Sequence, residues 1–178
     1  VAFVLFVGAG LSDLWDGPLA RKHGWITDVG KLLDPAADKL LLVSTFIPFY
    51  IISHREGEAG LIPLWGMLPM WVLIVILGRE FLVTVFRQWA VGRDVVIAAG
   101  TSGKHKAFLQ NLFSGGLLLW YPLQEFAAAR GLDNLPYRAF VQFHAAWIGV
   151  TLLLALVLTI YSMLDYLWTY RSLMGFRN

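Results

Sequence analysis

From Phe140 to Trp168 the chain runs through aliphatic, small and aromatic residues with a single charged side chain, Asp165. No other feature constrains the fold as strongly. A helix needs about 20 mostly apolar residues to cross the roughly 30 Å hydrocarbon core of a bilayer at about 1.5 Å per residue. A transmembrane barrel would instead use strands of about 10 residues with strict apolar and polar alternation, which these unalternating runs do not show. Further apolar runs at 1–12, 40–53, 61–86 and 107–123 raise the expected number of spans in this chain to five. With 58% hydrophobic and 15% charged residues, the composition lies outside the range of ordinary soluble domains. The expected fold class is therefore all-α, a polytopic transmembrane helix bundle, with residues 1–178 forming one domain.

Basic residues orient the bundle, because cytoplasmic loops carry the excess of Lys and Arg. Segment 16–33 holds Arg21, Lys22 and Lys31; segment 87–106 holds Arg87, Arg93, Lys104 and Lys106; the tail holds Arg171 and Arg177. On the other side Arg55, Arg130 and Arg138 are offset by Glu56, Glu58, Glu125 and Asp133. The first of these segments is thus expected to face the cytoplasm, in the cell membrane. That orientation puts the first residues outside, so a further span before Val1, six in all, is expected of the full-length protein. Residues 1–12 lack the basic flank and small-residue cleavage site of a signal peptide. The chain has no cysteine, which excludes disulfides and thiolate metal sites. His23, His54, His105 and His144 have no zinc-like spacing and read as ordinary interfacial residues. No nucleic-acid partner is expected.

Against this apolar background, residues 12–41 hold five of the twelve acidic residues. Asp13 and Asp16 are three apart at the end of the first helix, and Asp34 and Asp38 are four apart at the start of the second, so each pair shares a helix face. Four clustered carboxylates repel strongly where water is partly excluded, and a cation must sit among them. Oxygen-only ligation suits Mg²⁺ or Mn²⁺, and two such ions can clamp a phosphoryl centre. Gly17, Ala20 and Gly30, read as a loop region between the helices, leave room for a bulky ligand, and Arg21 offers a fork for phosphate. Taken alone, Asp34-Pro35 also suits an ordinary helix start, with Asp as N-cap and Pro at the first helical position. Asp28, Lys22, Lys31 and Lys39 read as solvated or interfacial charges.

The joint spacing, Asp13-x2-Asp16-Gly17-x2-Ala20-Arg21-x8-Gly30-x3-Asp34-x3-Asp38, resembles the signature of the CDP-alcohol phosphotransferase family at all eight defined positions. The resemblance implies a six-helix membrane enzyme, usually a homodimer, that transfers a phosphatidyl or related group from a CDP-linked donor to an alcohol and releases CMP. It also implies Asp13, Asp16 and Asp34 as metal ligands, with Asp38 as general base and a further ligand. Gly17, Ala20, Arg21 and Gly30, together with Asp13, are implied to form the CDP site.

A second constellation bears on the acceptor. Arg79 lies inside an expected span, and Arg87 follows eight residues later, about 80° around the helix and two turns along it. Lys104 and Lys106 open the next span and can reach the same cavity. An Arg in the membrane is expensive and functional by default, although a salt bridge to a carboxylate such as Asp165 would also hold it. Glu80 reads as pointing elsewhere. Such a group of cations beside a carboxylate metal site suggests an acceptor that carries its own phosphate. The Gly-Arg-Glu opening at 78–80, Arg87, the Gly-Lys-x-Lys element at 103–106 and the ending LTIYSMLDYL at 158–167 resemble the phosphatidylglycerophosphate synthases within the family. That likeness implies CDP-diacylglycerol as donor and glycerol 3-phosphate as acceptor. Ala107 departs from it, since these enzymes commonly have Thr there. Other acceptors in the same family, phosphatidylglycerol or an inositol phosphate, and a cation transporter as a different class, remain as alternatives.

Overall fold

The computed structural model describes residues 1–23, 28–93, 95 and 101–171, without the side chains of 13, 14, 16–18, 20, 21, 28–35, 101, 102 and 104. Among the described residues are five α-helices: α1 (Ala2–His23), α2 (Asp28–Arg55), α3 (Met70–Val91), α4 (Thr101–Arg130) and α5 (Leu135–Thr169). The all-helical architecture is the one expected. By length and composition, Ala36–Arg55 of α2 and the whole of α5 are apolar enough to cross a membrane. At 35 residues α5 is about 52 Å long, well beyond the hydrocarbon core. The 22 residues of α3 are equally long enough, but the helix carries Arg79 and Glu80 at its middle and Arg87 near its end.

The sequence reading extended one helix over 61–86, whereas α3 begins only at Met70. Pro63 and Pro69 account for the difference, because each lacks an N–H and pushes its predecessor towards extended backbone. After a turn of 3₁₀ helix at Gly57–Gly60, Ile62 and Gly66 exchange two 2.8 Å backbone hydrogen bonds around a tight turn. Leu64 adopts a φ of 67° in this turn. The strained turn is held down by α5: Trp65 Nε1 donates to the Gly149 carbonyl at 3.1 Å, and the side chain of Leu64 lies where a β-carbon on Gly149 would stand, within 2.5 Å. Gly149→Ala is therefore expected to destabilise the bundle by about 1–3 kcal/mol through overpacking. The check is a lowered midpoint of thermal unfolding in detergent; an unchanged midpoint would show that the turn yields freely.

One apolar core joins α2, α3, α4 and α5 through Phe46, Phe49, Val72, Ile76, Phe113, Leu117, Ile148, Leu152 and Leu156. Phe113 stacks against Phe46 and Phe49 with ring centroids 5.4 and 5.9 Å away. Small residues bring helices close, as they do where lipid rather than water surrounds a bundle. A β-carbon on Gly116 would come within 3.3 Å of Trp147, and one on Gly115 within 3.3 Å of Phe6 on α1. His144 is buried rather than interfacial: Nε2 donates to the Gly116 carbonyl at 2.9 Å, and its ring stacks on Trp120. The outer faces are apolar as well. Val150, Leu153, Leu154, Val157, Ile160 and Leu164 of α5 are exposed at helical spacing, as are Leu40, Val43, Ile47 and Ile51 of α2. A soluble monomer rarely exposes such stripes.

Candidate active site

Helix direction decides what can meet. Phe46 and Phe49 of α2 pack on Phe113 of α4, and further along Tyr121 Oη donates to the Gly60 carbonyl just beyond α2. These two helices therefore run the same way. α5 runs against α4, since Gln110 pairs with Thr159 while Gly116 pairs with His144. α3 runs with α5, as Trp65 meets Gly149 and Phe86 meets Tyr166. The end of α1 and the start of α2, separated by four residues, lie at the same end of the bundle as the end of α3 and the start of α4.

Depth follows from the rise of about 1.5 Å per residue. Asp38 lies about 12 Å before Phe46 on α2, and Lys106 about 10 Å before Phe113 on α4, in the same direction. On α1, Asp13 and Asp16 lie about 10 and 15 Å beyond Phe6, which abuts Gly115, so they reach the level of residues 105–108 on α4. Asp13 and Asp16 are about 60° apart around α1, and Asp34 and Asp38 about 40° apart around α2. Helix positions thus set residues 13, 16, 34 and 38 and the basic residues Arg79, Arg87 and Lys106 towards one end of the bundle, spread over about two turns.

Two local readings change. α1 continues to His23 and α2 begins at Asp28, so Gly17, Ala20 and Arg21 occupy the last turns of one helix and Gly30 the first turn of the next, not a loop. Asp34 likewise falls inside α2, which removes its reading as an N-cap. The side chains of Asp13, Asp16, Gly17, Ala20, Arg21, Gly30, Asp34 and Lys104 lie outside the described residues; that of Asp38 is exposed.

The basic cluster is described in detail. Arg79 is 8% and Lys106 3% exposed, a degree of burial that long cationic side chains reach only with partners. Their shared partner is Glu80, whose Oε1 accepts from Arg79 Nη1 at 3.2 Å and from Lys106 Nζ. Glu80 therefore does not point elsewhere, and it takes the place offered to Asp165 as the counter-ion of Arg79. Arg87 Cζ stands 6.0 Å from the centre of the Tyr166 ring. Arg79 Nε, Arg87 Nε and Tyr166 Oη are buried and have no hydrogen-bond partner among the described residues. A buried donor left unsatisfied costs about 1–3 kcal/mol. Three such donors and acceptors gathered from α3 and α5 suit a polar ligand. Tyr166 was not singled out from sequence; its position in LTIYSMLDYL among interfacial aromatics concealed it.

Fold and site together define a helical membrane protein with an aspartate motif on α1 and α2 and a basic cluster where α3 meets Lys106 of α4. Comparison with known proteins gives the class a name: the profile of the CDP-alcohol phosphatidyltransferase family matches residues 1–161, and the chain belongs to that family. It is 37% identical over 166 residues to a probable phosphatidylglycerophosphate synthase of Mycobacterium tuberculosis, covering 93% of this chain and 64% of the relative. A CDP-diacylglycerol–glycerol-3-phosphate 3-phosphatidyltransferase of Haemophilus influenzae is 31% identical over 169 residues, covering 94% of this chain and 75% of the relative. The enzyme of the same name from Bacillus subtilis is 37% identical over 116 residues, or 65% of this chain and 53% of the relative. The chain thus spans a little under two thirds of the mycobacterial relative and about half of the Bacillus one.

Proposed function

We propose that the protein transfers the phosphatidyl group of CDP-diacylglycerol to glycerol 3-phosphate, forming phosphatidylglycerol phosphate and CMP. The observation that carries this reading is the cluster of buried Arg79 and Lys106 with half-buried Arg87, whose two arginine Nε–H groups are unsatisfied among the described residues, at the same end of the bundle as the family's aspartate motif. Two of the relatives bear the name of this activity.

Asp13, Asp16, Asp34 and Asp38 are hard oxygen donors, a set whose chemistry fits two Mg²⁺ or Mn²⁺ ions. Bound there, the cations would neutralise charge developing on the transferred phosphoryl group. Asp38 accepts the proton of the acceptor's primary hydroxyl as its oxygen bonds to the β-phosphorus. The bond from that phosphorus to the bridging oxygen breaks, and CMP departs with the electron pair. The small residues Gly17, Ala20 and Gly30 leave room for the cytidine diphosphate, and Arg21 pairs with its phosphate oxygens. Arg79, Arg87, Lys104 and Lys106 hold the acceptor phosphate, which converts a bimolecular encounter into a positioned one. Both water-soluble groups would enter from the cytoplasmic face of the cell membrane while the acyl chains stay in lipid, and the active form is a homodimer.

A panel of acceptors tests the assignment. With CDP-diacylglycerol in vesicles, CMP release is expected with glycerol 3-phosphate and not with phosphatidylglycerol, inositol or inositol phosphate. Activity confined to inositol phosphate would assign the basic cluster to a different phosphorylated alcohol.

A further inference from the structure

One carboxylate stands inside the basic cluster, and the proposed reaction gives it no role. Glu80 Oε1 accepts from both Arg79 and Lys106, the two most deeply buried cations of the group. It therefore occupies donors that an incoming phosphate needs. Counting the described side chains, three cations against one carboxylate leave a surplus of two positive charges. A phosphate monoester carries about −1.5 to −2 at pH 7, whereas a phosphodiester carries one negative charge and a free polyol none. A site with net positive charge, to which Lys104 would add, favours the more highly charged monoester.

We infer that Glu80 is a specificity-determining residue of the acceptor site, an internal counter-anion that holds Lys106 and Arg79 until a dianionic phosphate monoester displaces it. The inference rests on reading this cluster as the acceptor-phosphate site. Its physical content is competition. A fixed carboxylate a few ångströms from the bound phosphate repels it, so the site favours an anion with enough charge to take over both donors. Displacement also limits the grip on product, because the acceptor's phosphate remains in the product and must leave the same donors.

Competition predicts opposite signs for two neighbouring substitutions, where a purely structural ion pair predicts loss from both. Binding of inorganic phosphate to the purified full chain in detergent is measured by calorimetry, with dimethyl phosphate as the monoanionic control. Lys106→Gln is expected to weaken phosphate binding. Glu80→Gln, whose amide oxygen still accepts a hydrogen bond, is expected to tighten it about tenfold or more and to narrow the preference for phosphate over dimethyl phosphate. Phosphate bound no more tightly by Glu80→Gln than by the wild type overturns the inference while leaving the phosphate site intact. If the wild type binds no phosphate and Lys106→Gln changes nothing, the acceptor-site reading falls and the inference with it. Should Glu80→Gln fail to fold, Glu80→Asp keeps the charge but shortens the reach to Lys106; a severalfold gain in phosphate affinity supports competition, and an unchanged or weaker affinity refutes it.

Discussion

Asp38→Asn is expected to reduce CMP release by at least about a thousandfold while the protein still folds and still binds CDP-diacylglycerol. Asn is nearly the same size as Asp, so the packing of α2 is undisturbed. What disappears is the negative charge and the capacity to accept a proton. A positioned general base contributes about 10²- to 10⁴-fold, and loss of one anionic metal ligand adds to that. Asp38 is exposed near the start of α2, one turn before Leu42, which packs against the core, and two turns before the fully buried Phe46, so an isosteric change leaves these contacts in place. Single-turnover CMP release, set beside donor binding measured separately, makes the distinction. Turnover close to wild type removes Asp38 from the base role, and loss of donor binding in step with turnover reassigns it to the CDP site.

The second large effect is expected at Arg79. Arg79→Ala should raise the KM for glycerol 3-phosphate by about a hundredfold, corresponding to the 2–5 kcal/mol typical of truncating one partner of a buried charged contact. The KM for CDP-diacylglycerol should change far less, because Arg79 lies on α3, joined through Glu80 to Lys106 of α4, and not on α1 or α2, which carry the motif. The substitution also leaves Glu80 with Lys106 as its remaining described partner, so the folded state is checked by its thermal midpoint. Equal rises in both KM values contradict the assignment of Arg79 to the acceptor.

The all-helical frame was legible in the sequence, whereas the side chains of Asp13, Asp16 and Asp34 lie outside the described residues. The aspartate spacing is a local property of two helices, and a rise of 1.5 Å with 100° per residue fixes which carboxylates share a face. The same arithmetic brings Arg79 and Arg87 to one side of α3. Glu80 was misread for an equally physical reason. Adjacent residues on a helix diverge by about 100°, so spacing alone assigns Glu80 to a different face from Arg79. Only the long side chain of Lys106, reaching across from α4, draws the carboxylate to both cations. His144 was misplaced in the same way, since its burial depends on the bare backbone of Gly116 28 residues earlier. The late start of α3 was signalled by Pro63 and Pro69, but an unbroken apolar run masked it. Tertiary partners, rather than periodicity, decided each of these cases.

Reconstitution in vesicles containing CDP-diacylglycerol, with labelled glycerol 3-phosphate as the added alcohol, tests the central claim most directly. The account predicts phosphatidylglycerol phosphate carrying the label, formed one for one with CMP. CMP released without label entering lipid, or label entering lipid only when another phosphorylated alcohol replaces glycerol 3-phosphate, would contradict it.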